Sequence, residues 1–166
     1  MKLSNDYRFE NVWINKSDAL QTEILDFWIE HGALGSREKG QARLSEVIKI
    51  ARTVKDDKLV AVSTVYSGEN PQLKQNFFYF RCFVAENHRR ARLALFLIRA
   101  VYSQLNDRFV AGLDPDVIGL MMEVQNDKLQ QYHRPAVWTR TGMVFIGYNA
   151  RGDQVRVNYF DGAQIR

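Results

Sequence analysis

The sequence predicts an α/β domain in which helices cover the faces of a mixed β-sheet. Two runs rich in β-branched and aromatic residues flank a turn, and a long amphipathic helix pattern follows them directly. A further apolar run after that helix supplies another strand of the same sheet. With 166 residues, 46% of them hydrophobic, the chain has the size and apolar content of one ordinary domain, so we expect a single domain over residues 1–166.

The N-terminal third predicts one strand and two helices. The stretch "YRFENVWI" has the composition of a short strand. The stretch "KSDALQTEILDFWIEHGAL" predicts a helix, with Ser17 as its N-cap and Gly32 at its end. We expect a second helix over "SREKGQARLSEVIKIARTV", because apolar residues recur there at helical spacing. The residues on that expected helix face are Leu44, Val47, Ile48 and Ala51.

The rest of the chain alternates between strand-like and helix-like sequence patterns. We expect "KLVAVSTVYS" and "NFFYFRCFV" to pair as an antiparallel hairpin around "GENPQL". A long helix with one buried face then runs to "NDRF", and the strand "VIGLMMEV" follows it. The segment "NDKLQQYHRPAVWTRTG" predicts a short helix broken by Pro135. Last comes a strand–turn–strand with its tip at Asn149 to Gly152, so the expected order is β, α, α, β, β, α, β, α, β, β.

Composition excludes some classes of protein. No run of about 18 apolar residues is present, so we expect no membrane-spanning helix, and the N-terminal residues are too polar for a signal peptide. The one cysteine, Cys82, excludes an internal disulfide and favours a buried structural thiol in a reducing, cytoplasmic setting. No metal-ligand spacing appears, so no metal is expected. The net charge of +4 suits an anionic ligand, an acidic protein or a nucleic acid without choosing among them.

Three arginines stand where the apolar strand turns into the long helix. Arg89, Arg90 and Arg92 oppose the positive end of the helix dipole, which normally attracts acidic side chains. The free N–H groups of a first helical turn form an anion site, and an anion bound there would also neutralise the arginines. The alternative is a solvated surface cluster that binds nothing.

Three segments together resemble the Gcn5-related N-acetyltransferase (GNAT) superfamily. After Val84, the stretch "AENHRRARLA" falls on the family's Arg/Gln-x-x-Gly-x-Gly/Ala motif. The stretch "MMEVQNDKLQQY" is similar to the family's next strand and helix, and "RTGMVFIGYNARGDQVRVNYF" is similar to its passage into the last strands. The resemblance implies a mostly antiparallel central sheet flanked by helices, and acyl transfer from a thioester to an amine.

The resemblance also implies a site for acetyl- or another acyl-coenzyme A. The implied cofactor-binding residues are Cys82, Phe83, Val84, Arg89, Arg90, Ala91, Arg92, Leu93, Ala94 and Asn126. Arg92 departs from the motif, because the family has a glycine there. Its side chain either obstructs the approach of a pyrophosphate or swings outward to bind a phosphate. If the loop is obstructed, acyl carrier protein becomes the alternative donor, since a basic patch suits an acidic protein.

Catalysis in this family needs few side chains, and the resemblance implies two. Glu123, at the end of "IGLMME", is the candidate general base, and Tyr132 is the candidate acid that protonates the leaving thiolate. The alternatives are a carboxylate that is exposed or pairs with an arginine, and a tyrosine that packs on the sheet. His88 and His133 are weaker base candidates, for which simple exposure is the favoured reading.

The predicted function is therefore transfer of an acyl group from acyl-coenzyme A to an amine of an unidentified acceptor. Two alternatives stay open: an acyltransferase fed by acyl carrier protein, and a non-catalytic module whose basic patch binds a protein or nucleic acid. Nucleic acid is the less favoured partner, because the aromatic run from Phe77 to Phe83 has the pattern of a sheet core. Trp13 and Trp28 fit either an acceptor pocket or the core.

Overall fold

The structure is a computed structural model that describes residues 4–132 and 134–165, except for the side chains of Lys128 and Tyr132. The strands within these residues are β1 (Tyr7–Asn11), β2 (Val47–Thr53), β3 (Leu59–Asn70), β4 (Gln75–Val84), β5 (Val117–Val124), β6 (Val137–Trp138), β7 (Met143–Tyr148) and β8 (Gln154–Tyr159). The α-helices are α1 (Asp18–Glu30), α2 (Arg37–Arg43), α3 (Leu93–Val110) and α4 (Asp127–Tyr132). Two 3₁₀ turns cover Leu44–Glu46 and Glu86–Ala91.

The strands form one eight-stranded sheet in the order β1-β2-β3-β4-β5-β8-β7-β6. The pairs β1–β2, β2–β3, β5–β8, β8–β7 and β7–β6 are antiparallel, and β4–β5 is parallel. β3 and β4 are hydrogen-bonded neighbours joined by residues 71–74, a connection that only antiparallel strands can use. The mixed, mostly antiparallel sheet flanked by helices is thus confirmed. Among the described residues, no helix is long and apolar enough to cross a membrane.

The chain divides into two compact units, of which the first comprises Met1–Val65 and Cys82–Leu97. Its core joins α1 to strands β2 and β3 through the buried residues Val12, Ile24, Leu25, Phe27, Trp28, Leu44, Val47, Ile50, Leu59, Val62 and Ala85. Helix α1 begins as predicted, because the hydroxyl of Ser17 accepts a hydrogen bond from the Leu20 amide at 3.2 Å. It ends before Gly32, which has φ +65°.

The prediction of the second helix is correct for its first part and wrong for the rest. Helix α2 stops at Arg43, a 3₁₀ turn follows, and residues 47–53 form strand β2. Val47, Ile48, Ile50 and Ala51 are all buried. A strand covered on both faces lacks the polar alternation of a surface strand, so its apolar residues also satisfy a helical spacing. Pairing with β1 on one side and β3 on the other decides the outcome.

The second unit comprises Tyr66–Arg81 and Ile98–Arg166. Its core cluster contains Phe77, Ile118, Met121, Val155 and Val157. Helix α3 runs past the predicted end at "NDRF" to Val110. The segment around Pro135 adds the short strand β6, which pairs with β7 and which we did not expect. The hairpin between β7 and β8 has its tip at residues 149–153, as predicted.

Candidate functional site

The passage from β4 to α3 is the first part of the candidate site, and it lies in the first unit. Strand β4 ends at Val84, and the Ala85 amide donates a hydrogen bond to the Val60 carbonyl at 2.9 Å, which anchors the chain to β3. A 3₁₀ turn carries the chain through Glu86–Ala91 to the start of α3. The loop that the motif predicted is therefore built by a strand, a tight turn and a helix N-terminus in succession.

Arg92 joins the turn to the helix in a left-handed backbone conformation. Its φ is 58° and its ψ is 30°. This region costs a residue with a Cβ roughly 1–2 kcal/mol and costs glycine almost nothing. The family's glycine position thus keeps the backbone conformation that glycine favours, although an arginine occupies it. The Arg92 side chain is exposed to solvent.

The first turn of α3 presents amide groups at this loop. The amides of Leu95 and Phe96 both donate to the Arg92 carbonyl, at 3.0 and 3.3 Å. The amides of Leu93 and Ala94 precede these bonds, and first-turn amides have no acceptor within their own helix. Leu93 is buried and anchors the helix, whereas Ala94 is exposed. An oxyanion that approaches this end of the helix would therefore meet it at the exposed Ala94, whose side chain is small.

The arginines of the loop divide into two kinds. Arg89 folds back, since its Nε donates to the Val84 carbonyl at 3.2 Å and its guanidinium lies 5.9 Å from the centre of the Phe83 ring. Arg90 and Arg92 are exposed. Arg89 therefore holds the loop against the end of β4, and Arg90 and Arg92 supply positive charge to its surface.

His88 is tied to the first strand. Its Nδ1 shares a hydrogen bond of 2.9 Å with the Tyr7 hydroxyl, and the two rings meet edge to face with 5.7 Å between their centres. The contact fixes the 3₁₀ turn to β1. His133, the other histidine considered as a base, lies outside the described residues.

The side chains at the end of β4, just before the loop, mainly pack within the fold. The Phe83 ring packs on the Phe27 ring, with 5.8 Å between centres. Trp28 is only 4% exposed and belongs to the core, so its side chain does not line an open pocket. Burial raises the pKa of the Cys82 thiol to about 12, as expected for a structural cysteine. Ligand contacts along these residues would therefore come from the backbone.

Glu123 lies in the second unit, near the end of β5. Its Oε2 accepts a hydrogen bond of 2.8 Å from Nη2 of Arg151, which stands at the tip of the β7–β8 hairpin. Arg151 also donates from Nε to Asp153 at 3.0 Å. The Glu123 side chain is 29% exposed, so the carboxylate is paired and still reachable from solvent. Sequence reasoning left the arginine partner open as a possibility without identifying Arg151.

Asn126 and Tyr132 belong to helix α4 and its entry. The Asn126 side-chain oxygen accepts from the Leu129 amide at 3.1 Å, so it caps the helix. Tyr132 is the last residue of α4, and its side chain lies outside the described residues. The roles of Asn126 in cofactor binding and of Tyr132 as an acid remain predictions. Residues Cys82 to Ala94 fall in one unit, and Glu123 and Asn126 fall in the other.

Comparison with solved structures places this architecture among known folds. An acetyltransferase of the GNAT family from Streptococcus pneumoniae matches with a TM-score of 0.61 at 9% sequence identity, over 93% of this chain and 99% of that one. The chain has the GNAT fold. An aminoglycoside 6'-N-acetyltransferase complexed with coenzyme A matches this GNAT fold with a TM-score of 0.60 at 13% identity, over 95% and 99% of the two chains.

A third neighbour with the GNAT fold, AtaT complexed with acetyl-methionyl-tRNAfMet, gives a TM-score of 0.56 at 12% identity, over 93% of this chain and 95% of that one. Sequence comparison finds neither a matching family model nor a matching curated protein. At identities this low the likeness establishes the GNAT fold, and the chemistry has to be argued from the residues. Among the described residues, no cluster of three or more His, Cys, Asp and Glu side chains could hold a metal ion.

Proposed function

We propose that this chain is an N-acyltransferase that moves an acetyl or other acyl group from acyl-coenzyme A to an amine. The observation that carries the proposal is the left-handed backbone of Arg92 at the start of α3. A non-glycine residue is strained in that backbone conformation, and such strain is typical of functional sites. The conformation supports a turn that brings the exposed Ala94 to the helix N-terminus, where a pyrophosphate would bind.

The residues of the loop fit such a donor. The Ala94 amide would donate to a phosphate oxygen, and Ala94 leaves room because its side chain is a methyl group. Arg90 and Arg92 would add charge at the rim of the same loop. Arg89 serves the site indirectly, because its bond to the Val84 carbonyl keeps the turn in place.

The edge of β4 beyond its ladder with β5 is suited to an extended chain of amides. The described β4–β5 ladder begins at Asn76 and ends with the pair Tyr79 and Met121. Strand β4 itself continues to Val84. Backbone groups of Cys82 to Val84 on that edge would therefore bond to the pantetheine amides of the donor, in the manner of an added strand.

The transfer step needs a neutral amine and a way to stabilise the departing thiolate. The amine nitrogen attacks the thioester carbonyl carbon, the carbon–sulfur bond breaks, and the free thiol leaves. Glu123 would take the proton from the incoming ammonium group, since its carboxylate accepts a hydrogen bond from Arg151 and is still reachable from solvent. Tyr132 would return a proton to the sulfur, as the family resemblance implies.

The experiment that tests the proposal is acetyl transfer measured by mass spectrometry on a panel of amines, with acetyl-coenzyme A as donor. We expect Ala94→Asp to abolish most transfer, since its carboxylate repels a pyrophosphate at the first turn of α3. The matched variant Ala94→Asn adds the same bulk without charge and should lose at least about tenfold less. Equal losses in the two variants would refute a pyrophosphate at the α3 N-terminus.

Acyl carrier protein remains the alternative donor. That alternative rests on obstruction of the loop by the Arg92 side chain, and the left-handed backbone conformation leaves the Cβ of Arg92 in the loop. The exposed arginines remain compatible with an acidic carrier. Transfer that requires acylated carrier and ignores acetyl-coenzyme A would favour it. Absence of transfer with both donors would favour a non-catalytic module.

A further inference from the structure

A cavity lies within the second unit. Its volume is about 460 Å³, which falls in the range of small-molecule sites. Strands β7 and β8 supply Phe145, Tyr148, Gln154 and Arg156 to its wall, and the end of α4 and the segment after it supply Gln130, Gln131 and Arg134. Nothing in the proposed acyl transfer uses these side chains.

The cavity lies on the face of the sheet opposite to the Glu123 side chain. In the antiparallel ladder of β5 and β8, Glu123 is paired with Val155, so these two side chains share a face. Gln154 and Arg156 flank Val155 along β8 and therefore point to the other face. Phe145 and Tyr148 pair with Arg156 and Gln154 across β7, on that same second face.

A buried guanidinium forms the floor of the cavity. Arg156 is only 1% exposed. It donates to the Gln154 side-chain oxygen at 2.9 Å from Nη2 and to the Pro135 carbonyl at 3.0 Å from Nη1. Its guanidinium carbon lies 4.0 Å from the centre of the Trp138 ring. These contacts hold a permanent positive charge in one orientation, where the low dielectric extends its field into the cavity.

The rest of the wall adds donors and rings. Arg134 is exposed and contributes a second guanidinium. The described lining residues include two cationic side chains, three primary amides and no carboxylate. The Phe145 and Tyr148 rings meet at 5.2 Å between centres and form an apolar side. Positive charge beside aromatic surface is complementary to a small anion that carries a ring or another flat apolar group.

We propose that this cavity binds a small organic oxyanion, either a carboxylate or a phosphate ester, whose apolar part lies against Phe145 and Tyr148. Arg134 is placed to pair with the oxyanion directly. Arg156 acts through its fixed charge and through Gln154, which it orients: the Gln154 amide also donates to the Gln130 carbonyl at 3.3 Å. The proposed acyl transfer uses none of the described lining side chains, so the proposal adds a second small-molecule ligand.

Titration of the ¹⁵N-labelled chain, followed by NMR of the glutamine amides and arginine Nε–H groups, tests the proposal. The probes are benzoate and phenyl phosphate, with neutral benzamide as the control for ring binding. We expect saturable shifts of the Arg156 and Gln154 resonances with one or both anions, and none with benzamide. A response to one anion alone identifies which oxyanion the site takes.

Two matched variants separate this site from general attraction of anions. Arg134→Gln should weaken anion binding about tenfold, because it removes one charge-assisted bond. Arg140→Gln removes an equal charge from an exposed position outside the cavity lining and should leave binding unchanged. The proposal is overturned if neither anion shifts the Arg156 or Gln154 resonances, if benzamide binds as well as benzoate, or if the two variants behave alike.

Discussion

Replacing Arg92 by glycine should leave the chain more stable than replacing it by alanine. At φ 58° the arginine carries a left-handed cost of roughly 1–2 kcal/mol, and glycine does not. Glycine also makes the unfolded chain more flexible, which offsets about 0.4–1 kcal/mol of that gain. The net expectation is a stabilisation of about 0.5–1 kcal/mol relative to Arg92→Ala, which loses the same guanidinium and retains the Cβ.

Urea denaturation of the two variants measures this difference directly. For a chain of this size, the expected gain corresponds to a rise in Tm of roughly 1–4 °C. The comparison with Arg92→Ala matters, because both variants remove every contact of the arginine side chain. If Arg92→Gly proves no more stable than Arg92→Ala, the backbone of Arg92 is not left-handed in solution. The argument for a preserved coenzyme A loop would then lose its basis.

Four other experiments, at Gly119, Cys82 and Glu123, test separate parts of the account. In Gly119→Ala the new methyl group would lie 2.7 Å from the Asn158 carbonyl oxygen in the neighbouring strand. Chemical denaturation should therefore show that the free energy of unfolding falls by about 1–3 kcal/mol. An unchanged midpoint would contradict the β5–β8 register. Cys82, with a pKa of about 12, should react with iodoacetamide at pH 8 about a thousandfold more slowly than a free thiol, and denaturant should remove the protection. The Cys82 thiol loses its proton at a lower pH in the unfolded chain than in the folded one, so the free energy of unfolding should fall as pH rises from about 9 to 12. Thermal unfolding measured against pH would show this fall, and Cys82→Ala should abolish it. Glu123→Gln should lower kcat about 10²- to 10⁴-fold with little change in the KM for acetyl-coenzyme A, whereas an equal kcat would exclude Glu123 as the base.

The elements around the candidate site were predictable because their signals are local. The strands ending at Val84 and Val124 are continuous apolar or aromatic runs of strand length, and the long helix between them has a clear helical period. Strand β2 was predicted as helix because it is buried on both faces, and burial on both faces is decided by neighbours far away in the sequence. Strand β6 has only Val137 and Trp138 and depends on pairing with β7, so no local pattern marks it.

The site was predictable in its position and only partly in its detail. The motif located the loop, but an arginine in place of glycine conceals the left-handed backbone, which only coordinates reveal. The Glu123–Arg151 ion pair joins residues from β5 and from a distant hairpin tip, so sequence spacing could not identify it. The buried Arg156 reads in sequence as an ordinary polar position of an alternating strand, and its burial follows from packing against Trp138.

The most direct test of the central claim is calorimetric titration of acetyl-coenzyme A into the wild-type chain and into Ala94→Asp and Ala94→Asn. We predict wild-type binding on the order of micromolar, with Ala94→Asp at least about tenfold weaker than Ala94→Asn. That result would place a phosphate group at the first turn of α3. No heat of binding to the wild-type chain at millimolar acetyl-coenzyme A would contradict the account, since the loop would then hold no acyl-coenzyme A despite its backbone conformation.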